Sequence, residues 1–180
     1  LASGAVYSAN TNVATSGRKP ADASLDYWKL LDVDGSGFMG RIRYGSLAID
    51  LPIYHGTSNE TLEHGVGHLE GTSLPVGGVG ERAVLTAHRG LPTATLFNDL
   101  NRAAVGDVFT VSVLDEALSY RVIETRVIEP DQTEAILPDP DRDLVTLVTC
   151  TPLGINSHRI LVTGERVIPA PDQEVTAGAA

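Results

Sequence analysis

VFTVSVL at residues 108–114 and LSYRVIETRVIE at 118–129 are two β-prone runs broken only at 115–117, and together they read as a β-hairpin. Outward from this pair the same grammar continues. Short apolar or alternating runs, separated by Gly, Pro and Asp, place further strands at 40–44, 49–52, 82–87, 144–149 and 159–168. That spacing belongs to a β-barrel or sandwich, so the fold class is mostly β with small helices. Segments 60–65 and 90–99 read as short helices or turns between strands, and no repeat is present.

At 180 residues with 42% apolar content, the chain can bury one full core. We divide it into a leader at 1–24, rich in small and polar residues, a main domain at 25–168, and a Pro-containing polar tail or linker at 169–180. The stretch SLDYWKLL (24–31) predicts a short amphipathic helix, with Ser24 as N-cap and Leu25, Trp28 and Leu31 at three-residue spacing. Such a helix would pack on the domain and orient the leader. The chain starts at Leu1, and no run of about 18 apolar residues is present to span a bilayer. We therefore read it as an excised soluble fragment, with any anchor lying beyond its ends.

A formal net charge of −10 without a basic cluster argues against nucleic acid, whose phosphates need grouped Lys and Arg. A single cysteine rules out an internal disulfide and a multi-thiolate metal site, and leaves one thiol to explain. Cys150 ends the run LVTLVTC and is followed by Thr151 and Pro152, which places it where a strand leaves the sheet. A lone Cys in a Val and Leu context also suits plain buried packing. His88 closes the similar run AVLTAH, and Arg159 opens the last strand across the loop TPLGINSH, nine positions after the Cys. Thiol, imidazole and guanidinium together fit acyl transfer: a nucleophile, a proton carrier and fixed donors for the substrate or oxyanion. At ordinary acidities only about 3% of such a thiol is thiolate at neutral pH.

These segments carry a specific resemblance. TLVTC (146–150), AHRG (87–90) and NSHR (156–159) resemble the nucleophile, histidine and arginine motifs of sortases, in the same order and spacing. LPIYHGT (51–57), GVGHLEGTSLPVGG (65–78), HRGLPTATLF (88–97) and TLVTCTPLGINSHR (146–159) are similar to class C, pilin-polymerising members, and the likeness spans residues 25–168. The resemblance implies a closed eight-stranded sortase-type β-barrel with short helices, an N-terminal helix and a lid-like leader. It implies a cysteine transpeptidase that cleaves an LPxTG-like sorting signal between Thr and Gly through a Cys150 thioester. The acyl group would then pass to a lysine amine of the next pilin subunit, with His88 as acid and base and Arg159 as orienting cation. Thr149, Thr151, Ala87 and His158 are the further candidates for substrate or oxyanion contact. The implied partners are pilin subunits, and the implied place is the outer face of the membrane or the cell wall of a Gram-positive bacterium. The parent would be membrane-anchored and monomeric, without cofactor.

Many class C members cover the active site with an Asp-Pro-aromatic lid, a motif missing upstream of Tyr27 here. A lid would have to use the segment Ala5, Val6 and Tyr7, through the Tyr7 ring or through plain backbone. His64 and His68, with Glu70 close by and His55 in the same region, have partial metal-ligand spacing, but Gly65 and Gly67 break the helix a zinc pair would need. DGSG (34–37) and PDPDRD (138–143) read as turns before they read as calcium loops. A housekeeping cell-wall-anchoring sortase is the nearest rival reading. A non-catalytic β adhesin or pilin module, with Cys150 as filler, is the rival of a different class.

Overall fold

The computed structural model describes residues 26–168. Eight strands follow one another as β1 (Phe38–Tyr44), β2 (Ile49–His55), β3 (Val66–His68), β4 (Arg82–Thr86), β5 (Val108–Val113), β6 (Glu116–Ile128), β7 (Leu144–Thr151) and β8 (His158–Arg166). A six-residue helix, α1 (Asn59–His64), joins β2 to β3. The strands close into a barrel in the order β1-β2-β3-β4-β7-β8-β6-β5. Two pairs are parallel, β2 with β3 and β4 with β7, and the others are antiparallel.

The expected hairpin is β5–β6, with its turn one residue earlier than the sequence break suggests. Val113 pairs with Glu116, so Leu114 and Asp115 make the turn, and Leu114 takes a left-handed φ of 53°. The short strand β3 is an addition to the sequence reading. Its core is Val-Gly-His, and Gly67 is required there: a Cβ at that position would lie 2.3 Å from the carbonyl oxygen of Gly56.

Burial forms two layers. Inside the barrel, Tyr44, Phe109 and Tyr120 run in sequence with ring centroids 5.7 and 5.8 Å apart, embedded in aliphatic side chains that include Leu85, Leu147 and Val162. Outside it, Leu62 of α1, Leu69, Val84, Ile128, Ile136, Val148, Cys150 and Leu161 form a second cluster. A strand covered on both faces needs apolar residues without alternation, which is why β7 reads as a continuous β-prone run.

Of the predicted helix at 24–31, the described residues form a single 3-10 turn, Tyr27–Lys29, capped by Asp26, whose carboxylate accepts from the backbone N–H of Trp28 at 3.2 Å; Ser24, the expected cap, lies outside them. Leu31 adopts a φ of 62°, which ends any helical course there. The turn nonetheless packs on the domain as expected. Tyr27 Oη accepts from Gly56 N–H at 3.1 Å and donates to His68 Nδ1 at 2.8 Å, while His68 Nε2 donates to the Ser73 carbonyl at 2.8 Å. Burial pushes the His68 imidazole down to about 4, which fixes it as the neutral tautomer this pattern requires. The leader, with Ala5, Val6 and Tyr7, and the tail at 169–180 lie outside the described residues.

Gly164 on β8 makes room for the interior rings: a Cβ there would meet Phe109 Cε1 at 2.7 Å. Gly164→Leu should lower stability by about 1–3 kcal/mol through overpacking. Urea denaturation with an unchanged midpoint would mean the barrel interior has space that this packing denies.

Candidate active site

Register and alternation locate the three candidate residues. β4 and β7 run parallel with Thr86 opposite Val148, and Ala87 N–H then donates to the Val148 carbonyl at 3.2 Å. Continuing that register by two residues sets His88 beside Cys150. On the other side of β7, Cys150 and Arg159 are direct partners in the antiparallel ladder.

The faces agree as well. Val84 on β4, Val148 on β7 and Leu161 on β8 belong to the outer cluster, whereas Leu85, Leu147 and Ile160 belong to the interior. Strand alternation sends Cys150 and Arg159 to the same outer face, and the same alternation continued two residues past Thr86 assigns His88 to it, at the same end of three adjacent strands.

Cys150 is 5% exposed and Arg159 6%, and His88 is half-buried. Arg159 is thus no surface cation: its Nη1 donates to the carbonyls of Asn156 and His158, each at 3.0 Å, which fixes the guanidinium plane. Burial pushes the Cys150 thiol above its ordinary 9.0, and the Arg159 charge pulls the other way without cancelling that rise. Burial likewise lowers the His88 imidazole below 6.5 against an opposing pull from Glu63. At neutral pH the pair rests as thiol and imidazole rather than as an ion pair.

The secondary candidates divide. Thr149 is fully buried and its hydroxyl donates to the Ala87 carbonyl at 2.8 Å. Ala87 also spends its N–H on β7, so these two residues brace one another. Thr151 is half-buried, and its hydroxyl accepts from Arg89 Nη1 at 3.2 Å. His158 is held by the Ser157 hydroxyl at 2.8 Å, and alternation along β8 assigns it to the face opposite Arg159. Arg89 and Asn98 escaped the sequence reading, although Arg89 directly follows His88.

The remaining histidines, and Asp34, Asp139 and Asp143 of the acidic turns, are held by protein groups. His55 has its two ring nitrogens 2.9 and 2.7 Å from the carbonyls of Gly37 and Leu30, and His64 Nδ1 lies 2.7 Å from the Glu60 carbonyl. Among the described residues no group of three or more His, Cys, Asp or Glu is placed to hold a metal ion. Asp34 and Asp139 accept from the backbone N–H groups two residues on, as turn residues do, and Asp143 accepts from Gly78 N–H. A cleft of about 650 Å³ lined by Trp28, Tyr54, His55 and Glu60 includes none of the three candidate catalytic residues.

Residues 42–167 match the family model described as "Sortase domain". The chain is similar to sortase D of Bacillus subtilis (strain 168), at 27% identity over 131 residues, covering 71% of this chain and 63% of that protein. It thus spans less than two thirds of the length of that curated relative. Among solved structures, it resembles sortase C-1 from Actinomyces oris, with 55% identity, a TM-score of 0.76 and 78% of each chain covered. It also resembles the Group B Streptococcus pilus island 1 sortase C2, with 49% identity, a TM-score of 0.72, and 73% of this chain and 75% of that one covered.

Because burial raises the thiol, alkylation of Cys150 by iodoacetamide should follow a titration with its midpoint above 9.0, the rate falling about tenfold for each pH unit below it. A midpoint at or below neutrality would establish a resting thiolate–imidazolium pair and contradict the neutral one.

Proposed function

The chain belongs to the sortase family, and we propose that it is a class C transpeptidase that builds covalent pili. What supports the reading is the register that pairs Cys150 with Arg159 and, continued past Thr86, brings His88 alongside Cys150 at one end of β4, β7 and β8. The similarity to sortase structures of the C type at 49–55% identity favours polymerisation over cell-wall anchoring. A non-catalytic module gives no account of three such side chains brought to one place.

In this reading an LPxTG-like sorting signal lies across the strand ends with its Thr carbonyl at Cys150. Sγ attacks the carbonyl carbon as its proton passes to His88, and the oxyanion forms within reach of Arg159. His88 then donates that proton to the departing Gly amine, the C–N bond breaks, and a thioester to Thr remains. A pilin lysine amine attacks the thioester and gives its proton to His88. The sulfur leaves as thiolate, recovers the proton, and an isopeptide bond joins two subunits. Partial burial of the thioester shields it from water, which favours the amine over hydrolysis.

The neutral resting pair has a consequence for this cycle. The reactive thiolate–imidazolium form is a minor species, so the chemistry depends on substrate binding and on the mutual placement of the two side chains. Pilin subunits as partners and the outer surface of a Gram-positive cell as the place of action belong to the same proposal.

Incubation with an LPxTG peptide followed by intact mass spectrometry should give a covalent adduct that retains the peptide up to its Thr, and Cys150→Ala should give none. An unreactive native chain, or an adduct that survives Cys150→Ala, would refute the thioester mechanism.

A further inference from the structure

We propose that Arg89 is a positioning residue for acyl transfer, clamping the loop that carries His88 to the end of the strand that carries Cys150. The inference rests on the catalytic reading of that pair and adds a residue to it. His88 lies beyond Thr86, the last residue of β4, so the sheet ladder does not hold it directly. Its placement comes from its own carbonyl, which accepts from Phe97 N–H at 3.2 Å, and from its two neighbours.

Both neighbours are tied to the neighbours of the nucleophile. On one side, Thr149 Oγ1 donates to the Ala87 carbonyl at 2.8 Å. On the other, Arg89 Nη1 donates to Thr151 Oγ1 at 3.2 Å, while its Nε donates to the Asn98 carbonyl at 2.9 Å. His88 and Cys150 are thus bracketed by two cross-strand hydrogen bonds, one on each flank.

The Asn98 end is built in turn. Asn98 Oδ1 accepts from Gly90 N–H at 2.6 Å, and Phe97 N–H donates to the His88 carbonyl at 3.2 Å. Phe97 is fully buried in the barrel core, so the loop that Arg89 grips is itself anchored. Gly90, at a φ of 81°, brings the turn against Leu153 of the β7–β8 loop, whose Cδ2 would sit 2.8 Å from a Cβ there. Arg89 is half-buried, and a planar fork is the group that satisfies two acceptors from one side chain; a lysine ammonium on a flexible stem lacks that fixed geometry.

A mobile His88 leaves peptide affinity intact and lowers the fraction of bound complexes with proton carrier and sulfur in line. Arg89→Lys should therefore lower kcat for peptide transfer by about 100-fold, the scale of an ångström-level misplacement, with KM unchanged. Thr151→Val should reproduce the loss, Thr151→Ser should restore it, and the double variant should lose no more than either single one. Cys150 alkylation should keep its native midpoint in all of them. Native kcat in folded Arg89→Lys, additive losses in the double variant, or a change confined to thermal stability would overturn the clamp. If Arg89→Lys fails to fold, the Val and Ser variants of Thr151 decide it. Absence of a Cys150 adduct in the native chain would instead strike the catalytic reading itself, which separates the two failures.

Discussion

Strand β7 is the constraint on which the rest of the molecule turns. Every side chain from Leu144 to Cys150 is buried: one face of the strand fills the barrel, and on the other Val148 and Cys150 share an apolar cluster with Leu62 of α1 and Ile136 of the turn at Thr133–Ile136. Such a strand cannot sit at an edge. It has parallel β4 on one side and antiparallel β8 on the other, and these two neighbours supply the histidine and the arginine. The order of strands around the nucleophile therefore decides the chemistry before any particular side chain is considered.

Burial that deep has to be reconciled with polar groups, since each unpartnered one costs about 1–3 kcal/mol. The threonines of β7 show how. Thr146 hydrogen-bonds to Thr163 on β8 and accepts from Arg82 on β4, and Thr149 donates to the backbone at Ala87. These bonds replace lost water and also set the spacing of the three strands. The same desolvation raises the Cys150 thiol and lowers the His88 imidazole, so one cause both stabilises the sheet and keeps the nucleophile quiet.

Much of this was legible in the sequence because long strands leave long signals. β6 and β7, strands of 13 and 8 residues, stand out in the sequence as the β-prone runs at 118–129 and 144–149, and Cys150, His88 and Arg159 fall at or beside strand ends that the punctuation marks. β3 was not legible: three residues with glycine at the centre look like a turn, and only the close approach of the Gly56 backbone explains the glycine. The start of the domain differs in shape from the expected helix, since the 3-10 turn is capped by Asp26 and held by contacts of Tyr27 with His68 and Gly56, residues far along the chain. The bond from the Thr149 hydroxyl to the Ala87 carbonyl was not legible either, because sequence cannot say which face of a doubly buried strand a hydroxyl meets.

The position of β8 between β7 and β6 bears on how the chain is made. The strand is the last of the eight in sequence, yet it separates two that precede it. As the polypeptide emerges in order, β6 and β7 each present an unpaired edge until residues 158–166 arrive, and open edges are templates for aggregation. The strand that closes the barrel also delivers Arg159 opposite Cys150. Closure and assembly of the arginine side of the site are consequently one event, and a nascent chain still lacking β8 has its thiol without the guanidinium.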